Sequence, residues 1–85
     1  MNRFRDLVRL LMELVDEATS RRDLVDKLES FRVDLGITEW QVRNPVWLAR
    51  CKALFRALPQ EEQLSRNFLQ AKCQVLGVLR EVTVV

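Results

Sequence analysis

Histidine and tyrosine are absent from this 85-residue sequence, which also contains only two glycines, two prolines and two cysteines. Without histidine, the chain lacks the side chain that most often serves as a general base, proton shuttle or zinc ligand near neutral pH. Cys51 and Cys73 stand far apart and form no CxxC motif. Serine–histidine, cysteine–histidine and ordinary zinc chemistry are therefore excluded, and we expect neither a metal nor a cofactor.

The remaining polar residues also argue against catalysis. Carboxylates fall on the surfaces of the expected helices, and Ser20, Ser30 and Ser65 have no neighbouring base in the sequence. An enzyme needs a cluster of polarised groups, which this pattern does not supply. We predict that the protein is not an enzyme and has no catalytic residues.

Long apolar runs are missing as well. The N-terminal segment alternates charges such as Arg3, Arg5 and Asp6 with leucines at helical spacing, which is typical of neither a signal peptide nor a membrane span. Two cysteines do not make a disulfide framework. These features predict an intracellular protein of the cytoplasm or nucleus with no membrane partner.

Apolar residues are abundant, at 48% of the chain, beside 31% charged residues. The length permits one domain, residues 1–85. The many apolar residues, with only two glycines and two prolines, exclude a disordered or collagen-like class. A domain of this size buries only about 60–65% of the surface of its unfolded chain. The surplus of apolar side chains predicts a protein partner, including a second copy of the chain.

Apolar residues recur three and four positions apart, which predicts an all-α bundle. The predicted helices cover about residues 3–18, 21–35, 45–58 and 60–80, with a short helical turn near 39–43 and a non-helical tail over 81–85. The stripes predicted to face the core are Phe4, Leu7, Val8, Leu11, Leu14, Val15 and Ala18, then Leu24, Val25, Leu28, Phe31 and Leu35, then Trp47, Cys51, Leu54 and Leu58, and finally Leu64, Phe68, Ala71, Val75 and Leu79.

Capping residues set the expected helix boundaries. Ser20 precedes the second helix, with Asp23 at its third position. Gly36 is expected to end that helix in a left-handed conformation. Asn44 and Pro45 predict the cap and first residue of the third helix, which is expected to stop at Pro59, while Glu61 and Glu62 fall in the first turn expected of the fourth.

Several large apolar residues are predicted to remain outside a single four-helix core. They are Leu10, Met12, Trp40, Trp47, Leu48 and Phe55. Tryptophan and phenylalanine often anchor protein interfaces. The leading interpretation is therefore a small adaptor, regulatory or viral or phage accessory protein that binds another protein, as a homodimer.

A basic segment supports an alternative. Residues 40–60 contain Arg43, Arg50, Lys52 and Arg56 and no acid, whereas residues 11–39 have a net charge of −4. The basic helix could contact the phosphates of double-stranded RNA or DNA. Equally, it could pair with the acidic helix of its own chain or of a second chain.

Three short patterns have both a functional and an ordinary interpretation. The C-terminal Thr83, Val84 and Val85 match a PDZ-domain ligand, which adds a strand to a sheet edge, or form a packed tail. Residues 7–11 form an LxxLL sequence, and residues 24–33 have the spacing of a leucine-rich export signal. Both of these are also what a core-facing helical stripe produces.

Overall fold

Four helices form where the sequence places its apolar stripes. The computed structural model describes residues 3–41 and 43–84, and the side chains of residues 4–36 and 43–82. The helices are α1 (Arg3–Glu17), α2 (Arg21–Gln41), α3 (Pro45–Ala57) and α4 (Phe68–Val84), and a short 3-10 helix (Glu61–Gln63) precedes α4. No strand occurs in the described part of the chain, and the predicted all-α four-helix bundle is confirmed.

The core is formed by the predicted stripes. Each helix contacts the other three. Burial of a Val, Leu or Phe side chain stabilises the fold by about 1.5–3 kcal/mol, so these contacts are the main source of stability. The buried side chains are Phe4, Val8, Leu11, Val15, Ala18, Leu24, Val25, Leu28, Phe31, Leu35, Cys51, Leu54, Leu58, Leu64, Ala71, Val75 and Leu79.

The start of α2 is capped as predicted. The Ser20 hydroxyl oxygen accepts a hydrogen bond from the Asp23 N–H at 3.0 Å. The Asp23 carboxylate in turn accepts the Thr19 N–H at 3.0 Å and pairs with the Lys27 ammonium at 2.8 Å. These bonds satisfy main-chain donors that the first turn of a helix leaves unpaired.

The start of α3 is also as predicted. The Asn44 side-chain oxygen accepts the N–H groups of Val46 at 2.9 Å and Trp47 at 3.2 Å. Pro45 occupies the first helical position, where its missing N–H costs nothing. This junction reverses the chain between α2 and α3.

The prediction that α2 ends at Leu35 is wrong. The helix passes through Gly36 and continues to Gln41, so the turn expected near 39–43 is part of α2 over residues 39–41. Neither glycine has a positive φ. A glycine inside a helix costs only about 1 kcal/mol relative to alanine, and continuing the helix keeps the preceding carbonyl groups hydrogen-bonded. Val42 lies outside the described residues.

The fourth helix begins later and ends later than predicted. It starts at Phe68, where the Asn67 side chain accepts the Gln70 N–H at 3.1 Å, and it continues to Val84. The predicted non-helical tail is therefore wrong over residues 81–84. Val82 packs against the core, and this contact outweighs the slightly lower helix propensity of β-branched residues. Val85 lies outside the described residues.

Two arginines of α2 explain why α4 does not begin near residue 60. Arg21 donates to the main-chain carbonyls of Ser65 and Glu61 at 2.9 Å and of Leu64 at 3.3 Å. Arg32 donates to the carbonyls of Leu58, at 3.3 Å, and Pro59. Charged side chains from α2 thus satisfy carbonyl groups that an uninterrupted helix would have paired internally.

The same bonds show the relative direction of α2 and α3. Arg32, midway along α2, reaches the end of α3, whereas the end of α2 is joined to the start of α3 by residues 42–44. The two helices are therefore antiparallel. They form a hairpin in which Val33 of α2 lies at about the height of Phe55 of α3.

Replacing Arg21 tests the role of its carbonyl bonds, with the adjacent Arg22 as a matched control. We expect Arg21→Met to lower the free energy of unfolding by about 1.5–3 kcal/mol, because partly buried carbonyls lose a charged donor. Arg22 forms only exposed ion pairs, with Asp26 and Glu61. Arg22→Met should cost about 0–1 kcal/mol. Urea unfolding measures both, and equal losses would contradict the assignment.

The cap at Asp23 predicts a dependence of stability on pH. The hydrogen bond from Lys27, followed by that from the Thr19 N–H, holds the pKa of Asp23 below its ordinary value of 3.8. A lowered pKa in the folded state stabilises the fold above the ordinary value, and this stabilisation is lost as pH falls through the folded-state pKa. The Tm of the parent should exceed that of Asp23→Asn near neutral pH.

This difference should shrink as the pH falls below 3.8. Lys27→Met removes the largest cause of the shift, so it should reduce the pH-dependent part of the difference. Thermal unfolding from neutral to acidic pH checks this. A difference in Tm between the parent and Asp23→Asn that stays constant with pH would show that the charge of the Asp23 carboxylate does not stabilise the fold.

Candidate protein interface

The outer surface of α3 combines apolar and basic side chains. Its buried stripe, formed by Cys51, Leu54 and Leu58, faces the core. Phe55 follows Leu54 in the sequence and lies on one flank of this stripe. The same flank carries the half-buried Leu48 and the exposed Lys52. The helix thus presents a large aromatic ring, a type of side chain enriched at protein interfaces, beside a positive charge.

The opposite flank of α3 carries Arg50. Its guanidinium carbon lies 5.9 Å from the centroid of the Phe4 ring of α1, which is a cation–π distance. Arg50 is therefore directed toward α1. The flank with Phe55 is the one that faces away from this contact.

The structure places the predicted interface residues in different environments. Leu10 and Phe55 are exposed, with 50% and 44% of their surface accessible, and Leu48 is half-buried. Met12 and Trp47 pack against the core instead of standing outside it. The side chain of Trp40 lies outside the described residues.

Met12 departs from the prediction because of the arrangement of the helices, whereas Trp47 follows the core-facing stripe that the sequence also predicts for α3. α1 contacts α2, α3 and α4, so its buried arc is wider than the stripe expected from one partner helix. The Met12 side chain lies at the edge of that arc. Trp47 occupies the first turn of the stripe that continues at Cys51 and Leu54, so its ring joins the core.

Three exposed apolar residues were not among the predicted interface residues. Val33, Val46 and Leu69 have 61%, 62% and 69% of their surface accessible. A helical wheel centred on each buried stripe would have placed them on the outer side. The prediction instead considered only the largest side chains outside the stripes.

The short patterns in α1 and α2 belong largely to the core. Leu11 of the LxxLL sequence is buried, and Leu7 is partly buried against the core. In the export-like pattern, Leu24, Leu28 and Phe31 are buried, whereas Val33 is exposed. These leucines could contact another protein only if their helices left the bundle.

The C-terminal pattern lies at the edge of what is described. The backbone of Thr83 and Val84 is helical. A PDZ-domain ligand must be extended to pair with a sheet edge. The side chains of Thr83 and Val84, and all of Val85, lie outside the described residues.

The basic residues are distributed over the surface of α3. Arg43, Lys52 and Arg56 are exposed, and Arg50 is half-buried. Among the described side chains, neither Arg50 nor Arg56 forms an ion pair. Glu29, an exposed acid of α2, forms none there either. The pairing of Arg50 or Arg56 with the acidic helix of the same chain, which the sequence left open, is therefore not observed among the described side chains.

The two thiols lie in different environments. Cys51 is buried and Cys73 is exposed, and neither forms a disulfide. Cys73 lies off the stripe formed by Ala71, Val75 and Leu79. In the described part of the chain, no three Cys, Asp or Glu side chains come together as a metal site, and no helix is long and apolar enough to cross a membrane.

The described side chains line two shallow depressions. One of about 230 Å³ lies between α1 and α2 and is lined by Leu14, Lys27 and Phe31 with flanking polar groups. The other, of about 660 Å³, adjoins Arg21, whose guanidinium is bonded to main-chain carbonyls. Ligand sites are mostly apolar and enclosed, so the exposed faces of the helices are the stronger candidates.

Comparison with known proteins gives no further guide. No protein-family model matches the chain, and no curated protein or solved structure matches it. The assignment of the interface therefore depends on the residues of this chain.

A pair of neighbouring residues on α3 tests the separation of core and surface. Leu54 is buried and Phe55 is exposed. Leu54→Ala should lower the free energy of unfolding by about 2–5 kcal/mol, because it leaves a cavity. Phe55→Ala should cost less than about 1 kcal/mol in the monomer. Urea unfolding at low protein concentration checks this, and a large loss for Phe55→Ala would place its ring in the core.

Proposed function

We propose that this chain is a small non-enzymatic helical protein that binds other proteins, as an adaptor or regulatory factor, and that it forms a homodimer. The observation that carries the proposal is the set of large apolar side chains left exposed on α3 and α2, above all Phe55 and Val33. Such side chains gain from leaving water when a partner covers them.

The charges near these residues also favour a protein partner. The α3 surface is basic, and the exposed acids of α2 include Asp26 and Glu29. A partner surface that carries both signs of charge would meet its complement on this hairpin. A second copy supplies such a surface without any additional component.

Nucleic-acid binding is the second candidate, because Lys52 and Arg56 are exposed on α3 and Arg43 is exposed just before it. About four phosphate contacts would make the affinity fall roughly 10²-fold between 50 and 200 mM salt. The apolar residues among these charges gain nothing from a phosphate backbone. This is why the protein partner ranks first.

Light scattering after size-exclusion chromatography tests the proposal on reduced protein at low and high salt. We expect a mass near twice 10.0 kDa at high concentration, falling on dilution, with no excess absorbance at 260 nm. The apolar contribution should keep the dimer intact at high salt.

Two results would overturn this ranking. A mass of 10.0 kDa at every concentration would exclude the homodimer. Nucleic acid that co-elutes at low salt and is lost at high salt would favour the second candidate. In that case Arg43→Glu should weaken binding of a double-stranded RNA or DNA probe, since Arg43 is exposed before α3.

A further inference from the structure

From the geometry of the α2–α3 hairpin we infer that its outer face, centred on Val33 and Phe55, binds the same face of a second copy around a two-fold axis parallel to the helices. This inference rests on the proposed self-association and specifies where it occurs. The exposed acid and base that flank the apolar centre are Glu29 of α2 and Arg56 of α3.

The first support is the position of the apolar residues. α2 and α3 are antiparallel, and the bond from Arg32 to Leu58 sets their relative height. Val33 follows Arg32 directly, and Phe55 lies three residues before Leu58. Both side chains are substantially exposed. They therefore form an apolar centre at a single height of the hairpin.

The second support is the unequal charge of the two helices. On the outer side of α2, Glu29 precedes Val33 by one helical turn, and on α3 Arg56 follows Phe55. Neither Glu29 nor Arg56 forms an ion pair among the described side chains. One copy thus presents an acidic helix beside a basic helix, with apolar residues in the middle.

Symmetry then selects one arrangement. A two-fold axis parallel to the helices places α2 of one copy over α3 of the other and keeps all heights unchanged. Val33 then faces the partner's Phe55. Because α3 runs antiparallel to α2, Arg56 lies about three residues, or about 4.5 Å along the axis, from the height of the partner's Glu29, which an arginine side chain can reach.

The alternative axis, perpendicular to the helices within the interface, would stack α2 on α2 and α3 on α3. Arg56 and its symmetry mate would then lie on facing basic helices, and like charges across an interface are unfavourable. The charge pattern therefore favours the parallel axis. An isologous contact of this kind also closes at two copies and does not extend into a filament.

The expected affinity is modest. α3 has 13 residues and is about 20 Å long. Two helices packed about 8–10 Å apart form a narrow face, smaller than the roughly 800 Å² per partner of a standard interface. We expect a concentration-dependent dimer, which sedimentation equilibrium over a dilution series can follow.

Charge reversal provides the test. Arg56→Glu and Glu29→Arg should each raise the dimer Kd roughly tenfold, because each creates two like-charge contacts per dimer. The double variant Arg56→Glu with Glu29→Arg should restore the Kd to near the parental value. Restoration is specific to a direct contact and would not follow if either change acted by unfolding a helix.

Substitutions of exposed apolar residues, inside and outside the proposed face, supply the matched control. Phe55→Asp and Val33→Asp should abolish the dimer, whereas Leu69→Asp, at an exposed leucine of α4 away from this face, should leave it intact. Circular dichroism and urea unfolding establish that each variant remains folded. If an aspartate variant unfolds, the alanine substitution at the same position is used in its place. We expect alanine at position 55 or 33 to weaken the dimer more than alanine at position 69.

The outcomes separate the two proposals. A dimer that persists in Phe55→Asp and in both charge-reversal variants would contradict the assignment of the interface to this face, and so would a dimer that Leu69→Asp disrupts. In either case self-association itself would remain established. A parental protein that stays monomeric up to about 1 mM, equivalent to less than about 4 kcal/mol of binding, would overturn the homodimer itself.

Discussion

The bonds from Arg21 and Arg32 to main-chain carbonyls are the constraint on which the second half of the fold depends. Residues 58–67 join α3 to α4, and their carbonyls cannot be paired within a regular helix. Arg21 and Arg32, both on α2, donate hydrogen bonds to five of these carbonyl groups. They fix where α3 ends and bring Leu64 into the core.

Local sequence rules were sufficient for most of the fold. Each buried residue belongs to a stripe that helical periodicity predicts, and the caps at Ser20 and Asn44 form as expected. The errors occur where local signals compete with tertiary contacts. Gly36 tolerates a helix as well as a turn, and only the continued packing of α2 decides between them. The start of α4 has a local cap at Asn67, whereas the segment before it is bonded to arginines more than 25 residues away in the sequence.

The candidate interface was harder to predict than the core. Phe55 and Leu10 are exposed because they lie off their stripes, which the sequence pattern reveals. Met12 packs inward because α1 has several neighbours, which no single helix pattern contains, whereas the inward position of Trp47 follows from the apolar stripe of α3. The pairing of Val33 with Phe55 at one height requires the antiparallel hairpin. Their proximity in height is therefore visible only in the packed α2–α3 hairpin and not in either helix alone.

The absence of buried polar side chains from the described core affects how specifically the helices are aligned. Contacts between leucine and valine are non-directional, so such a core would accept neighbouring helices shifted by one turn with little loss of burial. Directional bonds at the chain reversals remove this degeneracy. Ser20, Asn44 and Asn67 fix the residues at which helices begin, and the bonds from Arg21 and Arg32 fix α2 against the segment between α3 and α4. The register of the bundle is therefore specified by polar bonds to the main chain and not by the apolar core.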